Sequence, residues 1–403
     1  MATRPTTELN RSGRAGVHRR RVRGSIGRVT NETVDVVVVG AGAMGSAAAW
    51  ALASADRDVV VLEQHTLGHD QGGSHGGSRL FRLDYADGET LASALRAERL
   101  WRRIEEETGE DLLTVVGGLE HGVGSNRLDA AKAVCDQAGV PIEIISAEAA
   151  GERWPQLSFE GTVVHQPGSG RLNPDRGLAA MRRLATRRGA RFEAETGVTG
   201  LRVLDAGDGH GPGLVEVTTS DRTLRARHVV AAVGSWAPAL LGGHVALPTI
   251  TVTQEQPRFF TARDEVDVAR WPVFVHWRDE AGPHGRAAGY GCVEPGVGVK
   301  VGLHHSGPAV DPDRRPPPDP GLEEAVVDYV RRWFPGLDAD RSTPISCLYD
   351  NSPDEMFVVD RVGPVVVATG FSGEGFKFVP VIGELLRDLV TGAGVPPDRW
   401  RLR

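Results

Sequence analysis

Cysteine is scarce in this chain. Cys135, Cys292 and Cys347 are the only three in 403 residues, far apart and without a C-x-x-C pair. An odd, scattered set argues against a disulfide framework and a zinc site, and it suits a reducing cytoplasm. Long apolar runs are missing too: nothing approaches the roughly 18 consecutive apolar residues of a membrane span. Neither sign of charge dominates. Lys and Arg number 46 against 53 Asp and Glu, and a net charge of −7 gives no reason to expect a nucleic-acid partner. His304-His305 has no third ligand nearby in the sequence, so no metal is expected there. Large apolar residues are also rare in residues 1–32, which are rich in Arg, Ser, Thr and Gly, with a basic cluster from His18 to Arg23. No apolar stretch follows those arginines as an export signal requires. Residues 1–32 are therefore expected to be a disordered basic tail, left by an overextended start, and not an address.

What remains has the composition of a soluble globular protein, 40% hydrophobic and 25% charged. Its length exceeds one ordinary core, so two domains are expected. The organising stretch begins at Val34–Val39, a β-branched run typical of a strand buried on both faces. Gly40, Gly42 and Gly45 follow at G-x-G-x-x-G spacing, then an alanine-rich helical segment, then Val59–Leu62 and the acid Glu63. Gly40 permits a sharp turn, Gly42 a close approach to a pyrophosphate, and Gly45 tight helix–strand packing. The helix N-terminus offers N–H groups to phosphates, and Glu63 suits a ribose hydroxyl. An acid there points to an unphosphorylated ribose, hence FAD or NAD, between which the motif alone does not choose.

Further on, helical periodicity covers about Thr90–Glu107, Leu128–Ala138, Ala147–Trp154, Asp175–Arg188, Leu322–Trp333 and Val379–Val390. Strands are expected at Leu112–Gly122 (with a Gly-Gly turn inside it), Pro141–Ile145, Arg191–Ala194, Val198–Val203, Leu214–Thr219, Thr223–Arg225 and from Ala226, the last returning to the nucleotide-binding sheet. Ile250 to His304 alternates as an antiparallel sheet does.

Four patches then occur in order: Gly-Ala-Gly-Ala-Met-Gly from Gly40, Ser-His-Gly-Gly-Ser-Arg-Leu-Phe-Arg from Ser74, Ser-Cys-Leu-Tyr from Ser346, and Gly-Phe-Ser-Gly-Glu-Gly-Phe-Lys-Phe from Gly370. Together they resemble the FAD-dependent amine oxidases of the D-amino-acid-oxidase superfamily, above all the members that oxidise sarcosine and N-methyltryptophan. The likeness runs from Val34 to Gly392. It implies a mixed α/β fold: a glutathione-reductase-like Rossmann FAD domain, expected over 33–115, 168–249 and 345–403, interleaved with an antiparallel-sheet substrate domain over 116–167 and 250–344.

The resemblance also implies roles. Cys347 stands where the flavin is attached through a thioether, a link that a thiolate nucleophile can form. Cys135 and Cys292 read as small buried side chains. His75 and Arg79 stand where residues lie against the flavin ring. Arg82 and Lys377 stand where two cations hold the substrate carboxylate, as a guanidinium fork and an ammonium can. Gly373 and Gly375 flank the flavin, although Glu374 between them replaces a histidine of the family pattern. Lys300 matches the lysine that promotes reaction with oxygen, and His304 lies on the same side of its strand. Tyr349 matches a pocket tyrosine, as does Tyr290 if one residue is deleted between it and Lys300. The expected activity is oxidation of a small secondary amino acid such as sarcosine by FAD, with O2 reduced to hydrogen peroxide, in a cytoplasmic monomer. A cyclic imino acid, a partner protein or quinone in place of O2, and an NAD dehydrogenase stay open as alternatives.

Overall fold

The structure, a computed structural model, describes residues 28–122, 125–204, 213–264, 266–282 and 285–402. The expected basic tail lies outside these residues except for its last five, which are strand. Strand β1 is Arg28–Val39, helix α1 is Ala43–Ala53 and strand β2 is Val59–Leu62. β1 pairs in parallel with β2, and β2 with Arg191–Glu193. On its other side β1 pairs in parallel with Arg222–Ala231. That strand was expected as two pieces and is one. Its first half pairs antiparallel with Val215–Thr219, and its last residues pair parallel with Val365–Thr369.

Every residue of α1 is buried. Its alanines let two further helices, Pro174–Arg187 and Val379–Thr391, pack on it closely. A Cβ on Gly383 would stand 2.6 Å from Ala47 O, a measure of how near those backbones come. The glycines at the head of α1 are held just as tightly. Gly40 has φ +95°, and a Cβ on Gly45 would fall 1.8 Å from Gly40 O. Helix Gly88–Thr108 is capped by the Asp87 carboxylate at its start and by left-handed Gly109 at its end. Its fully buried Trp101 donates an indole hydrogen bond to Lys377 O at 3.0 Å, fixing the glycine loop ahead of the last helix.

Among the described residues a second large sheet runs in the order Leu337–Pro344, Arg258–Ala262, Gly298–His304, Gly285–Glu294, Val273–Gly282, Gly118–His121, Thr162–Gln166, Glu143–Ser146. Its pairings are antiparallel with one exception, Val273–Gly282 beside Gly118–His121. One face packs on helix Pro320–Trp333, burying Val299 and Val301 with Val326 and Val330. Side chains alternate along a strand, so Lys300, Gly302 and His304 turn to the opposite face. A Cβ on Gly302 would lie 2.7 Å from Tyr290 Cζ, so the absence of one makes room for the phenol ring.

Gly45→Ala should therefore lower stability by about 1–3 kcal/mol, read as the midpoint of urea unfolding. An unchanged midpoint would mean that α1 can shift away from the turn.

Candidate active site

The parallel sheet, the second sheet and the two glycine-rich loops enclose one cavity of about 840 Å³. Every candidate residue lines it except Gly45, which lies one turn into α1. The site divides into three regions.

At the nucleotide end, Glu63 is buried and accepts hydrogen bonds from Ala41 N at 2.7 Å and His65 N at 3.0 Å. Burial pulls its carboxyl upward, but His69 and those two amides outweigh it and hold the group below its ordinary value. A carboxylate accepts more than these bonds, so capacity for a ribose hydroxyl is left. No side chain of α1's own N-cap, Gly42, caps the helix. Instead Ser74 Oγ accepts from Ala43 N at 3.0 Å, bringing the loop 71–78 over the helix end. Gly42 faces that hydroxyl without a Cβ, which would stand 3.1 Å from it. In the same loop His75 Nε2 is buried without a partner, and burial followed by Arg79 lowers the basicity of its ring. A helix N-terminus, a cradle of glycines, a buried acid and an orphaned ring nitrogen together fit a dinucleotide cofactor.

In the middle, two cations converge on one carbonyl. Arg79 donates to Ser78 O at 2.9 Å, and Lys300 Nζ donates to the same oxygen. The Arg79 guanidinium also donates to Gly73 O at 3.0 Å and His75 O at 2.8 Å, so it folds the loop that it belongs to. Glu294 anchors that loop from the second sheet, accepting from Gly77 N at 3.0 Å and Ser78 Oγ at 3.2 Å. Lys300 is buried; desolvation, with Arg79 beside it, lowers its ammonium pKa to about 8. Cys347 opens the strand Cys347–Asn351 opposite Glu255. Burial pushes its thiol above the ordinary value, although Arg79 and Lys300 pull the other way.

At the far end Arg82 and Lys377 are both buried. Lys377 Nζ donates to Glu374 O at 2.7 Å and to the Glu374 carboxylate, whose Oε2 lies 3.9 Å from Arg82 Nη2. Burial opposes ionisation of Glu374, but the two cations prevail and hold it well below the carboxylate range. Behind Arg82 stand Asp84 Oδ1 and Glu120 Oε1, each 3.8 Å from Nη1. Burial, then Asp84, pushes the Glu120 carboxyl up to about 8. The wall opposite carries Tyr290 and Tyr349, hydroxyl to hydroxyl at 3.5 Å, and His304 with its ring centroid 5.4 Å from Tyr349. Burial and the stacked His305 ring bring the His304 imidazole down to about 3, so it is neutral at neutral pH. Gly373 and Gly375 border the same space.

Sequence reasoning did not single out Ser74, Glu294, Asp84 or Glu120. One of these left a trace: Asp84 follows Arg82 by two residues.

Residues 35–389 match the family described as DAO, FAD dependent oxidoreductase. A curated relative, monomeric sarcosine oxidase of Streptomyces avermitilis, is 33% identical over 380 residues, 91% of this chain and 96% of its own length. N-methyl-L-tryptophan oxidase of Yersinia pestis is 28% identical over 367 residues, 87% and 93% respectively. Among solved structures, NikD, described as an unusual amino acid oxidase essential for nikkomycin biosynthesis, matches with a TM-score of 0.78 at 27% identity, covering 92% of this chain and 97% of that one.

Proposed function

The chain belongs to the DAO family of FAD-dependent oxidoreductases, and from that premise we propose that it oxidises the C–N bond of a secondary amino acid, of which sarcosine is the simplest, using O2 and releasing hydrogen peroxide. The observation that carries this reading is the enclosure of three features in one cavity: a dinucleotide-binding end, a buried Lys300, and the cation pair Arg82 and Lys377. When bound, FAD supplies the two-electron acceptor for the amine and returns the electrons to O2. Arg82 and Lys377 would hold the substrate carboxylate and so fix the orientation of the C–H bond next to the nitrogen. Tyr290, Tyr349 and the neutral His304 close the pocket around the amine. The imine product is hydrolysed by water. The Lys300 ammonium stabilises the negative charge that develops on oxygen. Cys347 is the residue that would hold the flavin covalently, as a thioether. We read the protein as a cytoplasmic monomer that acts on a small-molecule substrate and O2, with no nucleic-acid or membrane partner.

A second reading, oxidation of a cyclic or biosynthetic imino acid, is favoured by the likeness to NikD and by Glu374 where the family pattern has histidine.

Two experiments test the chemistry. Lys300→Met should slow reoxidation by O2 about 100-fold while leaving anaerobic reduction nearly intact, as stopped-flow spectra of the two half-reactions would read. The ammonium is the active form and its pKa is about 8, so wild-type reoxidation should fall as pH rises through that value. Equal reoxidation in both proteins would remove Lys300 from the oxygen chemistry and favour a different electron acceptor. For the tether, acid precipitation should leave the flavin in the pellet of wild type and in the supernatant of Cys347→Ser. Yellow supernatants from both would rule out the thioether.

A further inference from the structure

One subsite of the cavity already holds an anion belonging to the protein. Glu374 sits in the loop ahead of helix Val379–Thr391, with its carboxylate on Lys377 and beside Arg82. The two cations differ from their acid in accessibility. Arg82 and Lys377 are 6% and 4% exposed, whereas the Glu374 side chain is 39% exposed and borders the cavity. Arg82 Nη1 is buried with no hydrogen-bond partner, because Asp84 and Glu120 stand at 3.8 Å, beyond bonding distance. On the cavity side Nη2 has the Glu374 carboxylate 3.9 Å away, near enough for a charge interaction but too far for a hydrogen bond. A second carboxylate entering this subsite meets Glu374 at close range. It must displace that group or bring a positive charge to offset it, since like charges placed together in a low-dielectric site repel strongly.

We propose that Glu374 determines the substrate class of this site: its carboxylate competes for the anion subsite between Arg82 and Lys377, so the site selects amino acids that carry a second, cationic group over plain monocarboxylate ones. This rests on the assignment above of Arg82 and Lys377 to the substrate carboxylate. A substrate whose own ammonium or guanidinium lies a few bonds from its carboxylate satisfies Arg82 and Lys377 with one end and Glu374 with the other. Glu374 then stays in place and becomes a recognition group. In sarcosine the single amine is the reacting one, so no second cation is left to meet Glu374 and sarcosine binds less tightly than a substrate that brings one.

The test is a calorimetric titration of the purified flavoprotein with butyrate and with 4-aminobutyrate, which differ by one ammonium group. Wild type should bind 4-aminobutyrate more tightly than butyrate. Glu374→Gln keeps the shape and removes the charge, and it should bind butyrate at least about tenfold more tightly than wild type and lose the preference for the aminated ligand. The proposal is overturned if wild type binds butyrate as well as 4-aminobutyrate, if the variant's butyrate affinity stays within about twofold of wild type, or if neither protein binds either ligand. Should Glu374→Gln fail to fold, the wild-type pair and Glu374→His decide the matter. These dissociation constants need no turnover. A protein that binds both ligands as expected but oxidises no amine would sink the functional reading and leave the role of Glu374 standing.

Discussion

Burying positive charge is the constraint on which this site depends. Arg82, Lys300 and Lys377 are all withdrawn from water around one cavity, and a charge in such surroundings must be compensated. The chain solves this differently at each position. Lys300 is met by a backbone carbonyl, Ser78 O, which lowers no charge but supplies an acceptor. The price is a weakened ammonium. Lys377 is met by a carboxylate three residues away on the same loop. Arg82 is surrounded by Asp84, Glu120 and Glu374, none of them within hydrogen-bond reach. Arg82 is therefore the cation with most to gain from a ligand carboxylate.

The scaffold explains why these groups can meet. Lys300 and His304 come from the second sheet, on the face turned away from helix Pro320–Trp333. Arg79 and Arg82 come from a loop and short strand that follow the nucleotide-binding motif. Cys347 and Lys377 come from segments on either side of Val365–Thr369, the strand that completes the parallel sheet. Glu294 on the second sheet holds the loop carrying Gly77 and Ser78, so the two sheets are joined beside the reacting region. A loop held only by its own glycines would not keep the Ser78 carbonyl where both Arg79 and Lys300 reach it.

Much of this was legible in the sequence wherever local pattern decides. β1, α1, β2 and Glu63 follow from a hydrophobic run, three glycines and an acid at fixed spacing, and strand Val198–Val203 lies where its alternation places it. The strand Arg222–Ala231 read as two pieces because Arg225, Arg227 and His228 interrupt its apolar run. Those residues fall where it changes partners, from an antiparallel neighbour to a parallel one. The parallel pairing of Gly118–His121 with Val273–Gly282 joins segments far apart in the chain and has no local signal. The same holds for the site. Resemblance supplied the cations, whereas their partners Glu120 and Glu294 are set by the register of distant strands. Glu374 could be seen to depart from the family pattern, but its contact with Arg82, 292 positions earlier by number, could not.

The central claim is that this cavity holds a flavin and passes it electrons from a secondary amino acid. The most direct measurement is the visible spectrum of the purified protein under anaerobic conditions, titrated with sarcosine and then with pipecolate. A flavin band that bleaches with either compound is the expected result, and the compound that bleaches it identifies the kind of secondary amine accepted. A protein without a flavin band, or one whose band no secondary amino acid bleaches, would contradict the account.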